Sequence, residues 1–148
     1  MPDRALVLHG PNLNLLGSRE TTVYGRTTLT EVDRLIREHG RGLRVDVECR
    51  QSNHEGQLVD WLQAAARERF LGVVINPGAF THYSLALRDV IAAIDVPVVE
   101  VHLSNIHARE PWRQRSITGE GARAAVMGFG WRSYLVALRG LVALLRDG

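Results

Sequence analysis

Short apolar runs alternate with segments of helical periodicity along the whole chain, and this alternation limits the folds that it can adopt. The runs have the length of buried strands, and glycine and proline directly follow the first of them. Helical spacing is clearest in the last segment, where Trp131, Tyr134, Leu138 and Leu141 recur at intervals of three and four residues. The predicted strands cover residues 5–8, 45–49, 72–75, 98–101 and 124–127.

The predicted helices lie between these strands. A capping box is predicted at Thr28-Leu-Thr-Glu31, where it begins a helix that ends near Gly40. A second capping box is predicted at Ser52-Asn-His-Glu55. A third helix is expected over residues 83–94. Strands that alternate with helices predict an α/β fold of the flavodoxin-like kind, a five-stranded parallel sheet with helices on both faces. The length predicts a single domain over residues 1–148.

The chain contains no lysine, so all 18 of its basic residues are arginines. Without a side-chain amine, a carbonyl substrate cannot be activated as a lysine imine. The arginines are scattered among acidic residues, and aromatic residues make up only 6% of the chain. We therefore expect no nucleic-acid surface.

Location and metal content are also constrained by the sequence. No apolar run approaches the roughly 20 residues needed to span a bilayer, and the N-terminus lacks the shape of a signal peptide. The single cysteine, Cys49, cannot form an internal disulfide, and none of the six histidines has a typical ligand spacing. We expect a cytoplasmic, soluble protein with no membrane partner and no metal.

Polar residues gather after three of the predicted strands. His9, Asn12, Arg19 and Tyr24 follow the first strand. The other two groups are Asn76 to His82, and Glu100 to Asn105 with Arg109 and Arg113 beyond it. Because the carboxyl ends of parallel strands lie along one edge of the sheet, these residues are expected to line one crevice.

Glu100 and His102 are two residues apart on a strand and therefore project to the same face. A carboxylate beside an imidazole fixes its tautomer and raises its pKa, which suits a general acid. The alternative is a surface ion pair at a strand end. Ser104 is a candidate for holding a carboxylate, and Arg113 for contacting an anion or a polyol.

Tyr24 is a candidate general base, provided that a neighbouring cation stabilises its phenolate, and Arg19 is the local candidate for that cation. The alternative is a tyrosine that only packs a loop. Asn12 and Asn76 can hydrogen-bond a hydroxyl or a developing oxyanion, or they can simply form turns. His82 can hold a substrate hydroxyl or cap the following helix.

Several motifs in this order resemble type II 3-dehydroquinate dehydratase, and the resemblance covers nearly the whole chain. They are Gly10-Pro-Asn-Leu-Asn-Leu-Leu-Gly17, Arg19-Glu20, Tyr24-Gly25, Arg50-Gln-Ser-Asn-His-Glu-Gly56, Ile75-Asn-Pro-Gly-Ala79, Thr81-His82, Ala86-Leu-Arg-Asp89 and Glu100-Val-His-Leu-Ser-Asn-Ile-His-Ala-Arg109. The resemblance implies anti elimination of water from 3-dehydroquinate, through an enolate, to give 3-dehydroshikimate. It implies no cofactor, no Schiff base and no metal. The same step serves the shikimate pathway or, alternatively, quinate catabolism.

The resemblance also implies a role for each catalytic residue. Tyr24 matches the base that removes the proton next to the ketone, and Arg19 matches the group that activates it. His102 matches the acid that protonates the leaving hydroxyl, with Glu100 orienting it. Asn12 matches the residue that stabilises the enolate through a water molecule.

Substrate-binding residues follow in the same way. Asn76, His82 and Arg113 match contacts to substrate hydroxyls. The backbone of Leu103 and Ser104, with the Ser104 side chain, matches the carboxylate site.

Assembly and a lid are implied as well. Asp89 matches a residue that reaches the neighbouring subunit's site, which implies a homo-oligomer, commonly a dodecamer built from trimers. Residues 19–24 resemble the family's lid. The chain departs from the family at three places. Thr21 stands where proline is frequent, Tyr83 lies beside His82, and Pro111-Trp112 precedes Arg113.

Two other functional classes fit the fold but lack their required residues. A flavodoxin-like cofactor carrier needs a hydroxyl-rich phosphate loop after the first strand, where this chain has Gly-Pro-Asn-Leu-Asn. A receiver-type signalling module needs clustered aspartates at the same place and a lysine later in the chain, and there is no lysine.

Overall fold

The computed structural model describes residues 2–18 and 20–147, and Arg19 therefore lies outside the described residues. All strand pairings in its five-stranded sheet are parallel, and the strand order is β2-β1-β3-β4-β5. The strands are β1 (Asp3–His9), β2 (Val45–Gln51), β3 (Gly72–Asn76), β4 (Val98–His102) and β5 (Ala124–Met127). This is the flavodoxin-like order, so the predicted α/β fold is confirmed.

Helices cover both faces of the sheet. They are α1 (Thr21–Tyr24), α2 (Leu29–Gly42), α3 (Glu55–Ala64), α4 (Leu85–Ala93) and α5 (Arg132–Asp147). Alternate residues of β1 point to opposite faces, so Ala5 and Val7 pack with α2 and α5, whereas Leu6 and Leu8 pack with α3 and α4. No helix within residues 2–18 and 20–147 is long and apolar enough to cross a membrane.

One of the two predicted capping boxes is wrong. Thr28 does cap α2, because its side chain accepts a hydrogen bond from the backbone N–H of Glu31. Ser52 instead accepts from the N–H of His54 at 2.9 Å, in a turn that leads out of β2. The N-cap residue of α3 is His54, whose side chain makes no capping hydrogen bond. The Glu55 carboxylate accepts from the Ser84 hydroxyl at 2.6 Å, so a tertiary contact replaces the local one.

Ser84 also sets the start of α4, two residues later than predicted. Its hydroxyl caps the helix by accepting from the N–H of Leu87 at 3.0 Å. The preceding residues, Gly78–His82, form a 3-10 helix rather than the first turn of α4. Only Pro77 separates this 3-10 helix from β3.

The loops after β1 and β3 meet closely at the edge where the polar residues gather. The N–H of Gly10 donates to the carbonyl of Asn76 at 2.7 Å. A Cβ at Gly10 would lie 2.6 Å from the carbonyl of Pro77, so a side chain there would force the loops apart. Because β1, β3 and β4 are neighbours in the sheet, the three polar clusters converge as predicted.

Candidate active site

A cavity of about 120 Å³ opens at the carboxyl ends of β1, β3 and β4. Distant parts of the chain supply its walls. The predicted site residues that line it are Asn12, Tyr24, Asn76, His82, His102, Leu103, Ser104 and Arg113. Arg109, which belongs to the polar cluster after β4 but was given no role from the sequence, lines it too. Glu100 lies behind His102 and does not reach the cavity wall.

His102 and Glu100 form a buried pair at the end of β4. The Nε2 atom of His102 lies 3.0 Å from Oε2 of Glu100, and the two residues are 6% and 0% exposed. The alternative of a surface ion pair is therefore wrong. Since a carboxylate can only accept, Nε2 carries the hydrogen and Nδ1 is the ring nitrogen left for a ligand in the cavity.

Two hydroxyl groups complete the surroundings of the Glu100 carboxylate. Ser116 donates to Oε2 at 2.5 Å, and Thr118 donates to Oε1. Burial pushes the pKa of Glu100 upward, but the hydrogen bond and charge of His102 and the two hydroxyl groups outweigh it, so the pKa lies below its ordinary value. Glu100 is therefore a carboxylate at neutral pH, and it stabilises a positive charge on the imidazole of His102.

Tyr24 contacts the guanidinium of Arg109, whereas Arg19, the candidate that the sequence suggested, lies outside the described residues. Nη1 of Arg109 donates to the Tyr24 hydroxyl at 2.7 Å, and the guanidinium carbon lies 5.2 Å from the centre of the tyrosine ring. The Arg109 side chain is only 13% exposed. The phenol of Tyr24 is therefore half-buried beside a charged hydrogen-bond donor at the cavity wall. Thr21, where the family often has proline, is the first residue of α1, a position that also suits proline.

The two asparagines occupy different environments. Asn12 is exposed, has a left-handed backbone conformation (φ 69°) and begins a 3-10 turn, which holds its side chain at the cavity. Asn76 is 4% exposed. Its Oδ1 accepts from the N–H of Gly78 at 3.1 Å, and its Nδ2 donates to the hydroxyl of Tyr134 at 3.2 Å. Both asparagines therefore shape turns and also line the cavity.

His82 is held as a hydrogen-bond acceptor. Its Nδ1 lies 2.9 Å from the carbonyl oxygen of Arg115, which can only accept, so Nδ1 carries the hydrogen. Burial lowers the pKa of His82 below its ordinary value, and the nearby charges of His102 and Arg113 lower it further. His82 is therefore neutral at neutral pH, and its Nε2 can accept a hydrogen bond from a hydroxyl group. It does not cap α4, a role that Ser84 fills.

Arg113 lines the cavity in spite of the unusual residues that precede it. Its guanidinium lies 3.9 Å from the centre of the Trp112 ring, and its Nε donates to Glu110 at 2.9 Å. Trp112 also meets the ring of His82 edge-on at 5.6 Å. Tyr83, by contrast, is 61% exposed and packs against Phe80, so it does not crowd the cavity.

Asp89 does not reach the cavity of its own chain. Its side chain is 76% exposed on α4, where it lies 3.8 Å from the guanidinium of Arg88. Leu103 and Ser104 occupy the bend directly after β4 and contribute to the cavity wall. The residues that were assigned a role are thus brought together with two exceptions, Asp89 and the undescribed Arg19. His9, which was expected to line the same crevice, is fully buried and does not line it.

One cluster in the described part of the chain has the residue types of a metal site. Ligand atoms of His9, Asp33 and Cys49 lie within 4.8 Å of one another. Both ring nitrogens of His9 already make hydrogen bonds, to Tyr134 and to Asp33. Burial, followed by the charge of Asp33, raises the pKa of the Cys49 thiol, which disfavours the thiolate that binds metals. The cluster is a hydrogen-bonded unit rather than a suitable metal site.

Comparison with known proteins decides the family. The family model described as dehydroquinase class II matches residues 3–142. The chain belongs to this family. It is 53% identical to a 3-dehydroquinate dehydratase from Rhodopseudomonas palustris, over 98% of this chain and 96% of that protein. It is 54% identical to one from Thermus thermophilus, over 97% and 96%. A crystal structure of a type II dehydroquinase from Butyrivibrio crossotus superposes with a TM-score of 0.92 at 40% identity, covering 95% and 97% of the two chains.

In this class II dehydroquinase the role of Arg109 was missed at the level of sequence, and Ser116 and Thr118 were missed altogether. Arg109 is the last residue of the motif Glu100–Arg109, and its place in that motif could have indicated that it belongs to the site. Ser116 lies in a loop and Thr118 begins a short 3-10 helix, Thr118–Glu120, and nothing in their spacing connects them to Glu100. Only the folded chain brings these hydroxyl groups to the carboxylate.

Proposed function

We propose that this chain is a 3-dehydroquinate dehydratase, a hydro-lyase that converts 3-dehydroquinate into 3-dehydroshikimate as one domain over residues 1–148. The observation that carries the proposal is the presence of Tyr24 and His102 in one cavity, the first bonded to a guanidinium and the second to a carboxylate. A base and an acid are what an elimination of water requires. The names of the relatives support the choice of substrate.

The first step is removal of a proton from the carbon next to the ketone. Tyr24, as the phenolate, takes this proton, and the electron pair of the broken C–H bond moves to the carbonyl oxygen to form an enolate. Arg109 stabilises the phenolate by donating to its oxygen. Arg19 has the same role by family resemblance. Asn12 stabilises the enolate oxygen through a water molecule.

The second step is loss of the hydroxyl group. The enolate electron pair re-forms the carbonyl and creates the carbon–carbon double bond as the C–O bond breaks. His102, as the imidazolium, gives the proton on Nδ1 to the departing oxygen, which leaves as water. Glu100 accepts from Nε2 of His102 and compensates the charge of the imidazolium before the transfer.

Binding of the substrate is assigned to the remaining cavity residues. Asn76, His82 and Arg113 contact substrate hydroxyl groups. The backbone N–H groups of Leu103 and Ser104, with the Ser104 hydroxyl, hold the carboxylate. The neutral state of His82 supports its part, since its Nε2 is then an acceptor for a hydroxyl hydrogen.

The working enzyme is a homo-oligomer, a dodecamer built from trimers, in the cytoplasm. The exposure of Asp89 supports this assembly, because its side chain is available to a neighbouring subunit's site. Residues 19–24 form the lid over the substrate. No cofactor or metal takes part. The reaction belongs to the shikimate pathway, with quinate catabolism as the alternative role.

The test is turnover of 3-dehydroquinate by the purified protein, followed by the ultraviolet absorbance of the conjugated enone product. We expect the absorbance to rise with time without added metal or cofactor. Identification of the product as 3-dehydroshikimate by NMR completes the test. No product at high enzyme concentration would overturn the proposed function.

A further inference from the structure

A chain of four buried or partly buried polar side chains leads from helix α2 to the wall of the cavity. Asp33 lies on α2, His9 ends β1, Tyr134 lies on α5 and Asn76 ends β3. His9 and Tyr134 are 0% exposed, and Asn76 is 4% exposed. Of these four residues only Asn76 lines the cavity. None of the steps proposed above uses the other three.

The donor and the acceptor in each hydrogen bond between these four side chains follow from the other partners that each group has. Oδ1 of Asn76 accepts from Gly78, so Nδ2 is the donor to the Tyr134 oxygen at 3.2 Å. The Tyr134 hydroxyl then donates its own hydrogen to Nδ1 of His9 at 2.8 Å. Nε2 of His9 carries the remaining hydrogen and donates to Asp33 at 2.7 Å.

Asn76 cannot reverse its carboxamide in this arrangement. A flip would place the NH₂ group against the N–H of Gly78, so that two donors would face each other. It would also remove the donor that the Tyr134 oxygen now accepts from. The second N–H of Nδ2 has no acceptor among residues 2–18 and 20–147, and Asn76 borders the cavity.

We propose that Tyr134, held by His9 and Asp33, is a positioning residue that orients the Asn76 carboxamide so that its second N–H meets a substrate hydroxyl. The inference rests on the proposed function, because it concerns the substrate contact of that same site. Burial raises the pKa of Tyr134, so its hydroxyl keeps the hydrogen that it donates to His9. The edge-on contact of the two rings, with centroids 5.0 Å apart, holds them in this geometry.

The first experiment is a double-mutant cycle in which Tyr134→Phe is made in the wild-type chain and in Asn76→Ala. A hydrogen bond of ordinary strength predicts that Tyr134→Phe raises KM about 3- to 10-fold in the wild-type chain, with little change in kcat. In the Asn76→Ala chain the same change leaves KM unaltered. An unchanged KM in the wild-type chain, or an equal rise in both chains, would overturn the proposal.

The second experiment separates His9 as an acceptor from His9 as a core side chain. His9→Asn can place a carboxamide oxygen near the position of Nδ1, whereas His9→Leu cannot accept from Tyr134. We expect His9→Asn to keep KM close to the wild-type value and His9→Leu to raise it as Tyr134→Phe does. This pair also decides the matter if Tyr134→Phe does not fold. Equal KM values for the two His9 variants would overturn the proposal.

Two further measurements separate this proposal from the proposed function. Ser133→Ala is the matched control, since it removes another buried hydroxyl of α5, one that accepts from Phe129 and does not reach Asn76. It should leave KM unchanged.

The NMR signals of the Asn76 carboxamide, assigned with Asn76→Ala, can be recorded without substrate turnover. We expect Tyr134→Phe and His9→Leu to shift them and Ser133→Ala to leave them in place, and unshifted signals in the first two variants would overturn the proposal. Loss of dehydroquinate turnover in the wild-type chain would count against the proposed function alone.

Discussion

The guanidinium of Arg109 donates a hydrogen bond to the hydroxyl of Tyr24 across 85 residues of sequence. The contact links the segment before α2 to the loop after β4, so the candidate base acquires its charged partner only when the chain folds. The same arginine lies 3.9 Å from Glu20 and 3.7 Å from Glu110. These carboxylates hold the guanidinium beside the phenol.

Replacing Arg109 with methionine removes the charge from Tyr24 while keeping most of the side-chain volume. We expect kcat to fall about 10²-fold at neutral pH, because the phenolate loses a charged donor. Steady-state rates at neutral pH check this, with Arg139→Met on the exposed surface as the control. A variant as active as the wild type at neutral pH would contradict it.

Thr118→Val should destabilise the protein by about 1.5–3 kcal/mol at neutral pH, the value of a hydrogen bond to a charged group. The pKa of Glu100 is lowered in the folded protein, so this stabilisation is present above the ordinary carboxyl pKa. It is lost as the pH falls through the lowered folded-state value. Urea unfolding at pH 7 and at about pH 3 should therefore show a difference that shrinks in acid, whereas Thr30→Val, on the exposed side of α2, should show none. A difference that persists unchanged in acid would count against the prediction.

Trp112→Ala should weaken substrate binding through Arg113. The guanidinium lies 3.9 Å over the indole ring, and a contact of this kind is worth about 0.5–1 kcal/mol. The expected result is a KM raised about 2- to 5-fold with kcat nearly unchanged. Steady-state kinetics test this, with Tyr83→Ala as the control because Tyr83 does not line the cavity. An unaltered KM in Trp112→Ala would show that Arg113 is held without the indole.

Borohydride added together with 3-dehydroquinate should leave the enzyme active. The chain has no lysine, so no lysine imine can form with the substrate ketone and be reduced to a stable adduct. The measurement is residual activity after the reagent is removed, together with the intact mass of the protein. Inactivation with a mass increase equal to the reduced substrate would contradict the enolate mechanism.

The sheet could be predicted from the sequence because its signals are local. Four strands contain short apolar runs, β2 alternates apolar and charged residues, and Thr28 forms its cap within four residues of sequence. The convergence of the polar clusters followed from parallel strands alone. Ser52 is not the cap because α3 begins only at Glu55 and the backbone N–H of Ser52 is bonded to the carbonyl of His9, while the carboxylate of Glu55 is taken by Ser84, 29 residues away.

The site was predictable in its residues but not in its pairings. The Glu100–His102 pair could be foreseen, since strand periodicity puts both side chains on one face. The contact of Tyr24 with Arg109 could not, because the two residues are 85 positions apart in sequence and only the fold brings them together. The hydroxyl groups of Ser116 and Thr118 reach Glu100 from a loop and from the start of a three-residue 3-10 helix, which are too short for any periodicity to indicate where a side chain points.

The proposed roles of Tyr24 as general base and His102 as general acid are tested most directly by comparing enone formation in three proteins. These are the wild type, Tyr24→Phe and His102→Ala. All three should fold with the same circular dichroism spectrum. We predict that the wild type converts 3-dehydroquinate and that each variant is slower by about 10²- to 10⁴-fold, the usual value of one general acid or base. Turnover close to the wild-type rate in either variant would contradict the role given to that residue.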